Sequence, residues 1–219
     1  MENLHRGVWI FMKKTIIFDF WGTLVEQGVY SPLKQVRRIL GVTMEYPEFV
    51  VLLEKTMMTR RFETLTDAFT EVCNAFHVEP TPQLMEELIG LWNKNWLLAR
   101  PYSEVVNALK ELKKNYQLVL ISNTDSMSVE RVLDKFDMNN CFDALFLSYK
   151  IGMIKTDPAF YEHVFKTLDI TPHDCVAVGD SMESDIAAAQ RAGVQAVLVD
   201  RRGMREFENK VRNLNQLAL

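Results

Sequence analysis

The sequence predicts an α/β fold, a doubly wound Rossmann-like parallel sheet that carries an inserted, all-helical cap domain. Short apolar segments alternate with helical periodicity over most of the 219 residues, and this alternation is typical of strands and helices that follow one another. One long segment, residues 27–99, interrupts the alternation with helical patterns alone. A helical block inserted after the first strand of such a sheet is expected to cover the strand ends.

Five segments predict strands that are buried on both faces. Each is short, apolar and rich in β-branched residues, and each ends near a polar residue or glycine, which is typical of parallel sheets. The segments are KTIIFDF (14–20), YQLVLIS (116–122), DALFLSY (143–149), DCVAVGD (174–180) and QAVLVD (195–200). Helical patterns at 103–114, 127–136, 158–168 and 183–192 separate or follow these segments.

The helical block divides the chain into two predicted domains. Residues 12–26 and 100–219 form the α/β core, and residues 27–99 form the cap, with helices expected at 32–40, 46–58, 64–77 and 82–98. The chain should pass between the domains near 25–31 and 98–102. Residues 1–11 are interpreted as an N-terminal extension, and no function is predicted for them.

Composition excludes several classes of function. The net charge is −4 and no run of basic residues is present, so we predict no nucleic-acid partner. No apolar run approaches the ~20 residues that span a bilayer, and no membrane association is predicted. The three cysteines are far apart, and this pattern predicts reduced thiols in a cytoplasmic protein. The sequence does not predict the oligomeric state.

Polar residues follow four of the predicted strands. In an open parallel sheet, ligands bind outside the carboxyl ends of the strands, so these residues are the candidates for a site. They are Asp19 and Thr23 after the first strand, Ser122 and Asn123 at the second, Lys155 after the third, and Asp180 and Asp185 at and after the fourth.

Four segments around these residues resemble, in order, the motifs of the haloacid dehalogenase superfamily of hydrolases. They are FDFWGTL, LISNTD, GMIKTDPAFY and VGDSMESDIAAAQRAG, and the resemblance covers essentially the whole chain from Met12. It implies that Asp19 is a covalent nucleophile and that Lys155 is the cation of the site. It further implies that Ser122 and Asn123, with Thr23, bind the transferred group, and that Asp180 and Asp185 are metal-associated acids. Thr156 stands where the family usually has proline.

The three aspartates predict a bound cation. Carboxylates at Asp19, Asp180 and Asp185 would repel one another unless a cation lay among them, and hard oxygen ligands suit Mg²⁺. The resemblance implies a further ligand, the backbone carbonyl of the residue two places after the nucleophile. Trp21 can supply that carbonyl because the side chain is not used, and Asp185 is expected to act from behind the direct ligands.

Trp21 also marks a missing group. Phosphatases of this superfamily carry a second aspartate at this place, which protonates the leaving group. The indole N–H donates hydrogen bonds but does not titrate usefully, and a positioned acid or base is worth roughly 10²–10⁴ in rate. A phosphatase with Trp21 should therefore favour good leaving groups or recruit an acid from the cap or the substrate.

Three functions remain open from the sequence. The leading hypothesis is Mg²⁺-dependent phosphoryl transfer or hydrolysis of a small phosphorylated metabolite through an aspartyl-phosphate at Asp19. The second is a 2-haloacid dehalogenase, in which Asp19 displaces halide to form an ester; that branch carries an aromatic residue where Trp21 stands and works without metal. The retained Asp180 and Asp185 favour the phosphatase. The third is a catalytically weak protein that binds a phosphorylated ligand.

Overall fold

The structure is a computed structural model that describes residues 14–217. The predicted extension 1–11 lies outside this range, as do residues 12 and 13 of the predicted core. The described strands are β1 (Thr15–Phe18), β2 (Val25–Glu26), β3 (Arg100–Pro101), β4 (Gln117–Ser122), β5 (Ala144–Leu147), β6 (Cys175–Gly179), β7 (Gln195–Val199) and β8 (Lys210–Val211). Six of them form one parallel sheet in the order β5-β4-β1-β6-β7-β8. The predicted fold class is confirmed.

The first strand lies at the centre of this sheet. Phe18 of β1 pairs with Leu120 of β4 on one side and with Val178 of β6 on the other. The chain adds β4 and β5 on one side of β1 and then crosses to add β6, β7 and β8 on the other. The carboxyl end of β1 is therefore the point where the strand order reverses, which is where ligands bind in open α/β sheets.

Three short strands escaped the sequence analysis. Each of β2, β3 and β8 contains two residues, which is too short to show an alternating pattern. The strands β2 and β3 form a separate antiparallel ribbon in which Val25 pairs with Pro101. This ribbon lies at the two places where the chain was predicted to pass between core and cap.

The segment between β2 and β3 is helical, as its pattern predicts. It contains α1 (Pro32–Leu40), α2 (Tyr46–Met57), α3 (Leu65–Ala75) and α4 (Pro82–Leu98). The apolar faces of these helices form a hydrophobic cluster of their own, which includes Phe49, Leu53, Phe69, Leu88 and Trp92. We propose on this basis that residues 27–99 form the cap domain, with residues 12–26 and 100–219 as the core.

Helices on both faces bury the parallel sheet. They are α5 (Val105–Leu112), α6 (Val129–Lys135), α7 (Ser148–Ile151), α8 (Pro158–Leu168) and α9 (Ala188–Arg191). Alternate residues of the strands point to opposite faces, so Ile16 and Phe18 belong to one hydrophobic cluster and Ile17 to another. Within residues 14–217, no helix combines the length and the apolar character that crossing a bilayer requires.

Candidate active site

Three carboxylates meet at the carboxyl end of the central strand. Asp19 follows β1, Asp180 follows β6, and Asp185 lies one turn further along the chain. One carboxylate oxygen from each of them lies within 4.8 Å of the others. Asp19 is held in place by its backbone N–H, which donates to Val178 O at 2.9 Å, so the parallel pairing of β1 with β6 fixes this group.

Lys155 enters the cluster from the segment after α7. Its Nζ lies 2.7 Å from Asp19 Oδ1 and 2.5 Å from Asp185 Oδ1, and the side chain is 4% exposed. Burial disfavours the charged ammonium, but the charges of Asp185 and Asp19 outweigh burial and raise the pKa of Lys155. The lysine is therefore a permanent cation that holds two of the three aspartates.

The remaining negative charge exceeds what Lys155 can balance. Burial and the charge of Asp185 raise the pKa of Asp19 to about 6, against the opposing effect of Lys155. Burial, Asp19 and Asp185 raise the pKa of Asp180 to about 8. Because the neighbouring carboxylates add to the effect of burial in both groups, the three carboxylates repel one another. An added cation at this place would relieve the repulsion.

Two glycines let the carboxylates approach the backbone. A Cβ added to Gly22 would lie 2.4 Å from Asp180 Oδ2, and the positive φ of 81° at Gly22 also favours glycine. A Cβ added to Gly179 would lie 2.4 Å from the side chain of Asp185. Any other residue at either position would displace an acid from the cluster.

The segment that carries Asp185 is a π-helical turn at the start of the helix predicted over 183–192. The turn spans Met182–Ala187, and α9 occupies only the last part of the predicted helix. Ile186 N donates to Ser181 O, five residues back, and Asp185 Oδ2 accepts a hydrogen bond from Ser181 N. Because π turns contain one extra residue per turn, this one rotates Asp185 towards Lys155. The helical pattern over 183–192 is confirmed, but it does not predict that the first part of the helix is a π turn.

The predicted binding residues after β4 are held near Lys155. Asn123 Oδ1 accepts a hydrogen bond from Lys155 N at 2.8 Å, which fixes the orientation of the amide. Ser122 is fully buried beside Asn123, and its hydroxyl donates to Asn123 O at 3.4 Å. The structure therefore brings Asn123 to the cluster directly, and Ser122 lies next to it at the end of β4.

Thr23 and Asp19 both keep a buried oxygen available for a ligand. Both residues follow β1 and are buried. Within residues 14–217, neither Thr23 Oγ1 nor Asp19 Oδ2 has a hydrogen-bond partner. Because buried polar atoms are rarely left unsatisfied, these two oxygens indicate where a metal ion or substrate group would bind.

Trp21 lies between the nucleophile candidate and the glycine that contacts Asp180. Its ring is half-buried and packs edge-on against Phe20, with ring centroids 4.9 Å apart. The Trp21 carbonyl belongs to the peptide that joins it to Gly22, and Asp180 lies against Gly22. The peptide that carries this carbonyl therefore adjoins a residue that lies against Asp180, and its role as a metal ligand stays a prediction.

The sequence analysis missed Glu54, which approaches the site from α2. Asn123 Nδ2 donates a hydrogen bond to Glu54 Oε2 at 2.8 Å. The helical spacing could have indicated this residue, because Glu54 lies four residues after Val50 and three before Met57, at the edge of the apolar face of α2. A carboxylate at such a position is rarely buried without a partner.

Two more contacts join the proposed cap to the loop after β4, one from the segment between α2 and α3 and one from α4. Ser126 Oγ donates to Phe62 O at 2.9 Å and accepts from Phe62 N at 3.3 Å. Trp92 Nε1 donates to the buried Asp125 Oδ2 at 2.9 Å. Together with Glu54 and Asn123, these pairs attach the cap to one strand end, and we refer to them below as the cap contacts.

Comparison with known proteins assigns this arrangement to a family. The model of the haloacid dehalogenase-like hydrolases matches residues 13–193. The chain belongs to the haloacid dehalogenase-like hydrolase family. This membership confirms the resemblance seen in the four sequence motifs, and it makes the protein a hydrolase.

A curated relative within the hydrolase family is a phosphatase by name. The chain is 32% identical over 201 residues to N-acylneuraminate-9-phosphatase of Rattus norvegicus, and the match covers 84% of this chain and 81% of the rat protein. A relative at this level of identity favours the phosphatase expectation over the dehalogenase.

Solved structures of the haloacid dehalogenase-like family share the fold. A 2-haloacid dehalogenase from Pseudomonas syringae pv. Tomato DC3000 superposes with a TM-score of 0.64 at 20% identity and covers 94% of this chain and 96% of its own. The family hydrolase YfnB from Bacillus subtilis, in a crystal bound to magnesium, has a TM-score of 0.65 at 14% identity with the same coverage. At these identities the likeness concerns the fold alone.

Proposed function

We propose that this hydrolase removes phosphate from small phosphorylated metabolites with the help of Mg²⁺, and that Asp19 is its nucleophile. The observation that carries the proposal is the pairing of Asp180 with Asp19 and Asp185 around a single lysine. A reaction without metal would gain nothing from two carboxylates beside its anionic nucleophile. The phosphatase named among the relatives supports the same chemistry.

The donor set suits a magnesium ion. Asp19 Oδ2 is buried and, among residues 14–217, has no partner, and Asp180 lies within reach of it. We propose that Asp19, Asp180 and the Trp21 carbonyl would hold the ion and that Asp185 would act from behind them, since Mg²⁺ prefers oxygen ligands and keeps several waters. When bound, the ion would neutralise charge on the carboxylates and on the phosphate.

Each residue of the site then has a distinct role in hydrolysis. An Asp19 carboxylate oxygen attacks phosphorus, the bond from phosphorus to the leaving oxygen breaks, and an aspartyl-phosphate forms. Water attacks this intermediate, the bond from phosphorus to the Asp19 oxygen breaks, and phosphate is released. Lys155 neutralises the phosphoryl oxygens, and Ser122, Asn123 and Thr23 orient them by hydrogen bonds.

The dehalogenase remains the second candidate because of one observation. Trp21 is an aromatic residue at the place where that branch also has one, and halide leaves without a proton. The same Asp19 would attack the carbon that bears the halogen and form an ester. A protein that only binds a phosphorylated ligand is the third candidate, and it would use the same cradle without turnover.

A substrate panel distinguishes these functions. The panel combines p-nitrophenyl phosphate, sugar phosphates such as N-acylneuraminate 9-phosphate, and 2-chloropropionate, each with Mg²⁺ and with a chelator. We expect release of inorganic phosphate with Mg²⁺ only, and Asp19→Asn should abolish it. Halide release in chelator would support the dehalogenase, and thermal stabilisation by a phosphate ester without turnover would support the binding protein.

We further propose that the protein acts in the cytoplasm on small molecules. The buried, unpaired thiols of Cys73 and Cys141 suit a reducing compartment. The net charge of −4 offers no basic surface for nucleic acid. Activity in a soluble cell extract that co-fractionates with the protein would test this placement.

A further inference from the structure

Glu54 is the one ionisable side chain that the cap contacts bring to the site. It projects from α2 and accepts a hydrogen bond from Asn123 Nδ2 at 2.8 Å. The same amide accepts a hydrogen bond from Lys155 N, so its orientation leaves only its N–H groups to face Glu54. A short chain of contacts thus connects the Glu54 carboxyl, through Asn123 and Lys155, to Asp19.

The surroundings of Glu54 favour its protonated form. Burial raises its pKa to about 7, Lys155 and the hydrogen bond from Asn123 oppose the rise, and Asp185 and Asp19 add to it. The charged and titratable groups that act on Glu54 are Lys155, Asp185 and Asp19 from the core, together with Tyr46 on its own helix. A carboxyl group in such a place can give up a proton and take it back near neutral pH.

We propose that Glu54 is the general acid and base of the phosphatase and that it replaces the aspartate absent at position 21. The hydrogen bond from Asn123 occupies Oε2, which leaves Oε1 to carry the proton. The geometry points to a proton donor that arrives with the cap and meets the phosphate from the side opposite the sheet. This inference rests on the proposed phosphatase function.

Each step of the proposed proton transfer balances. As Asp19 forms its bond to phosphorus and the bond to the leaving oxygen breaks, the proton of Glu54 passes to that oxygen and an alcohol departs. The Glu54 carboxylate then takes a proton from the attacking water. As the bond from phosphorus to the Asp19 oxygen breaks, phosphate leaves, and Glu54 is protonated as at the start.

The leaving-group dependence of Glu54→Gln tests this role. Glutamine keeps an oxygen that accepts from Asn123, so the contact with the cap is preserved while the proton is lost. For the alkyl phosphate that the wild-type protein hydrolyses fastest, kcat/KM, which reports the steps up to the aspartyl-phosphate and not its hydrolysis, should fall by about 10²-fold or more. For p-nitrophenyl phosphate, whose leaving group departs without a proton, the fall should be much smaller.

Two further variants complete the test. Glu86→Gln removes an exposed glutamate of α4 and should leave both activities unchanged. Adding Trp21→Asp to Glu54→Gln should restore part of the alkyl phosphate activity, because an acid returns to the site. Equal losses on both substrates in Glu54→Gln, or no loss on either, would overturn the role of Glu54.

The pH profile of the wild-type protein provides a test without any mutation. An acid must be protonated to act, so kcat/KM for the alkyl phosphate should fall as pH rises through about 7, while kcat/KM for p-nitrophenyl phosphate should not show this fall. A shared profile for both substrates would contradict the inference. If the wild-type protein hydrolyses no phosphate ester at all, the proposed function fails instead, so the two failures are distinguishable.

Discussion

The carboxyl ends of the strands around β1, called the sheet edge below, and the cap contacts hold the site in different ways. At the sheet edge, Lys155 is almost fully buried and forms two ion pairs, with Asp19 and Asp185, inside a frame of parallel strands. Each cap contact is instead made by side chains on a loop, through one or two hydrogen bonds. The charged cluster is therefore a fixed part of the core. Separating the cap from the core should cost less free energy than breaking this cluster.

The largest effect is expected where the sheet edge loses its cation. Lys155→Met leaves Asp19 and Asp185 buried without a positive charge beside them, which should lower the free energy of unfolding by about 3–5 kcal/mol. Urea unfolding in chelator measures this change. Lys150→Met, which removes an exposed lysine paired with Glu130, should cost at most about 1 kcal/mol. Equal stabilities for the two variants would mean that Lys155 does not hold the edge together.

A bound metal should stabilise the sheet edge next most strongly. Free Mg²⁺ at about a hundred times its dissociation constant should add about 2.7 kcal/mol to the free energy of unfolding. Asp180→Asn should remove most of this gain because it deletes one of the proposed ligands. Thermal unfolding with and without Mg²⁺ measures both effects, and an undiminished gain in the variant would place the ion elsewhere.

The cap contacts should matter less to stability and more to substrate use. Trp92→Phe removes one of the three hydrogen bonds that Asp125 accepts, the others coming from Ser128 and the Met127 N–H. We expect the free energy of unfolding to fall by about 1–3 kcal/mol. We also expect a higher KM, because the cap is held less tightly against the core. A matched Trp96→Phe variant, which removes a donor to the nearby Asn93, should leave KM unchanged. If both variants change KM alike, the contact with Asp125 is not specific to the cap.

The smallest effect is expected at the cap contact between Ser126 and Phe62. Ser126→Ala removes the hydroxyl that bonds to both the N–H and the carbonyl of Phe62, and this should cost about 0.5–1.5 kcal/mol. The exposed Ser103 provides the control, and Ser103→Ala should be close to neutral. Chemical unfolding of the two variants side by side is the measurement. If Ser126→Ala lowered the free energy of unfolding as much as Lys155→Met does, the proposed difference between the sheet edge and the cap contacts would be refuted.

Much of the sheet edge could be predicted from the sequence, because it depends on local signals. The strands of the parallel sheet are continuous apolar runs, except for β8, and each candidate acid follows directly from a strand end or its first turn. Asp19, Asp180 and Lys155 therefore come together once the strand order is known. The π turn at Asp185 could not be predicted, because the ion pair with Lys155 and the hydrogen bond from Ser181 are long-range or unusual features.

The cap shows the opposite pattern. Its four helices were predicted closely, since amphipathic periodicity and the prolines at the starts of α1, α2 and α4 are strong signals. Its contribution to the site was missed, because Glu54 reaches Asn123 across 69 positions of sequence. The neighbouring Lys55 is exposed, while Glu54 contacts Asn123 of the core. Only the packing of α2 on the core distinguishes the two.

Trp21 can also serve as a fluorescent reporter of the site. Its half-buried indole lies two residues from Asp19 and beside the glycine that contacts Asp180, so its fluorescence should respond when charge or solvent changes at the carboxylates. Phenylalanine at Trp9, Trp92 and Trp96 would leave Trp21 as the single fluorophore of the chain, which contains four tryptophans. Trp21, which stands where a proton donor is absent, thus allows ligand binding to be followed by fluorescence. Ligands could be titrated in this way before any substrate is known.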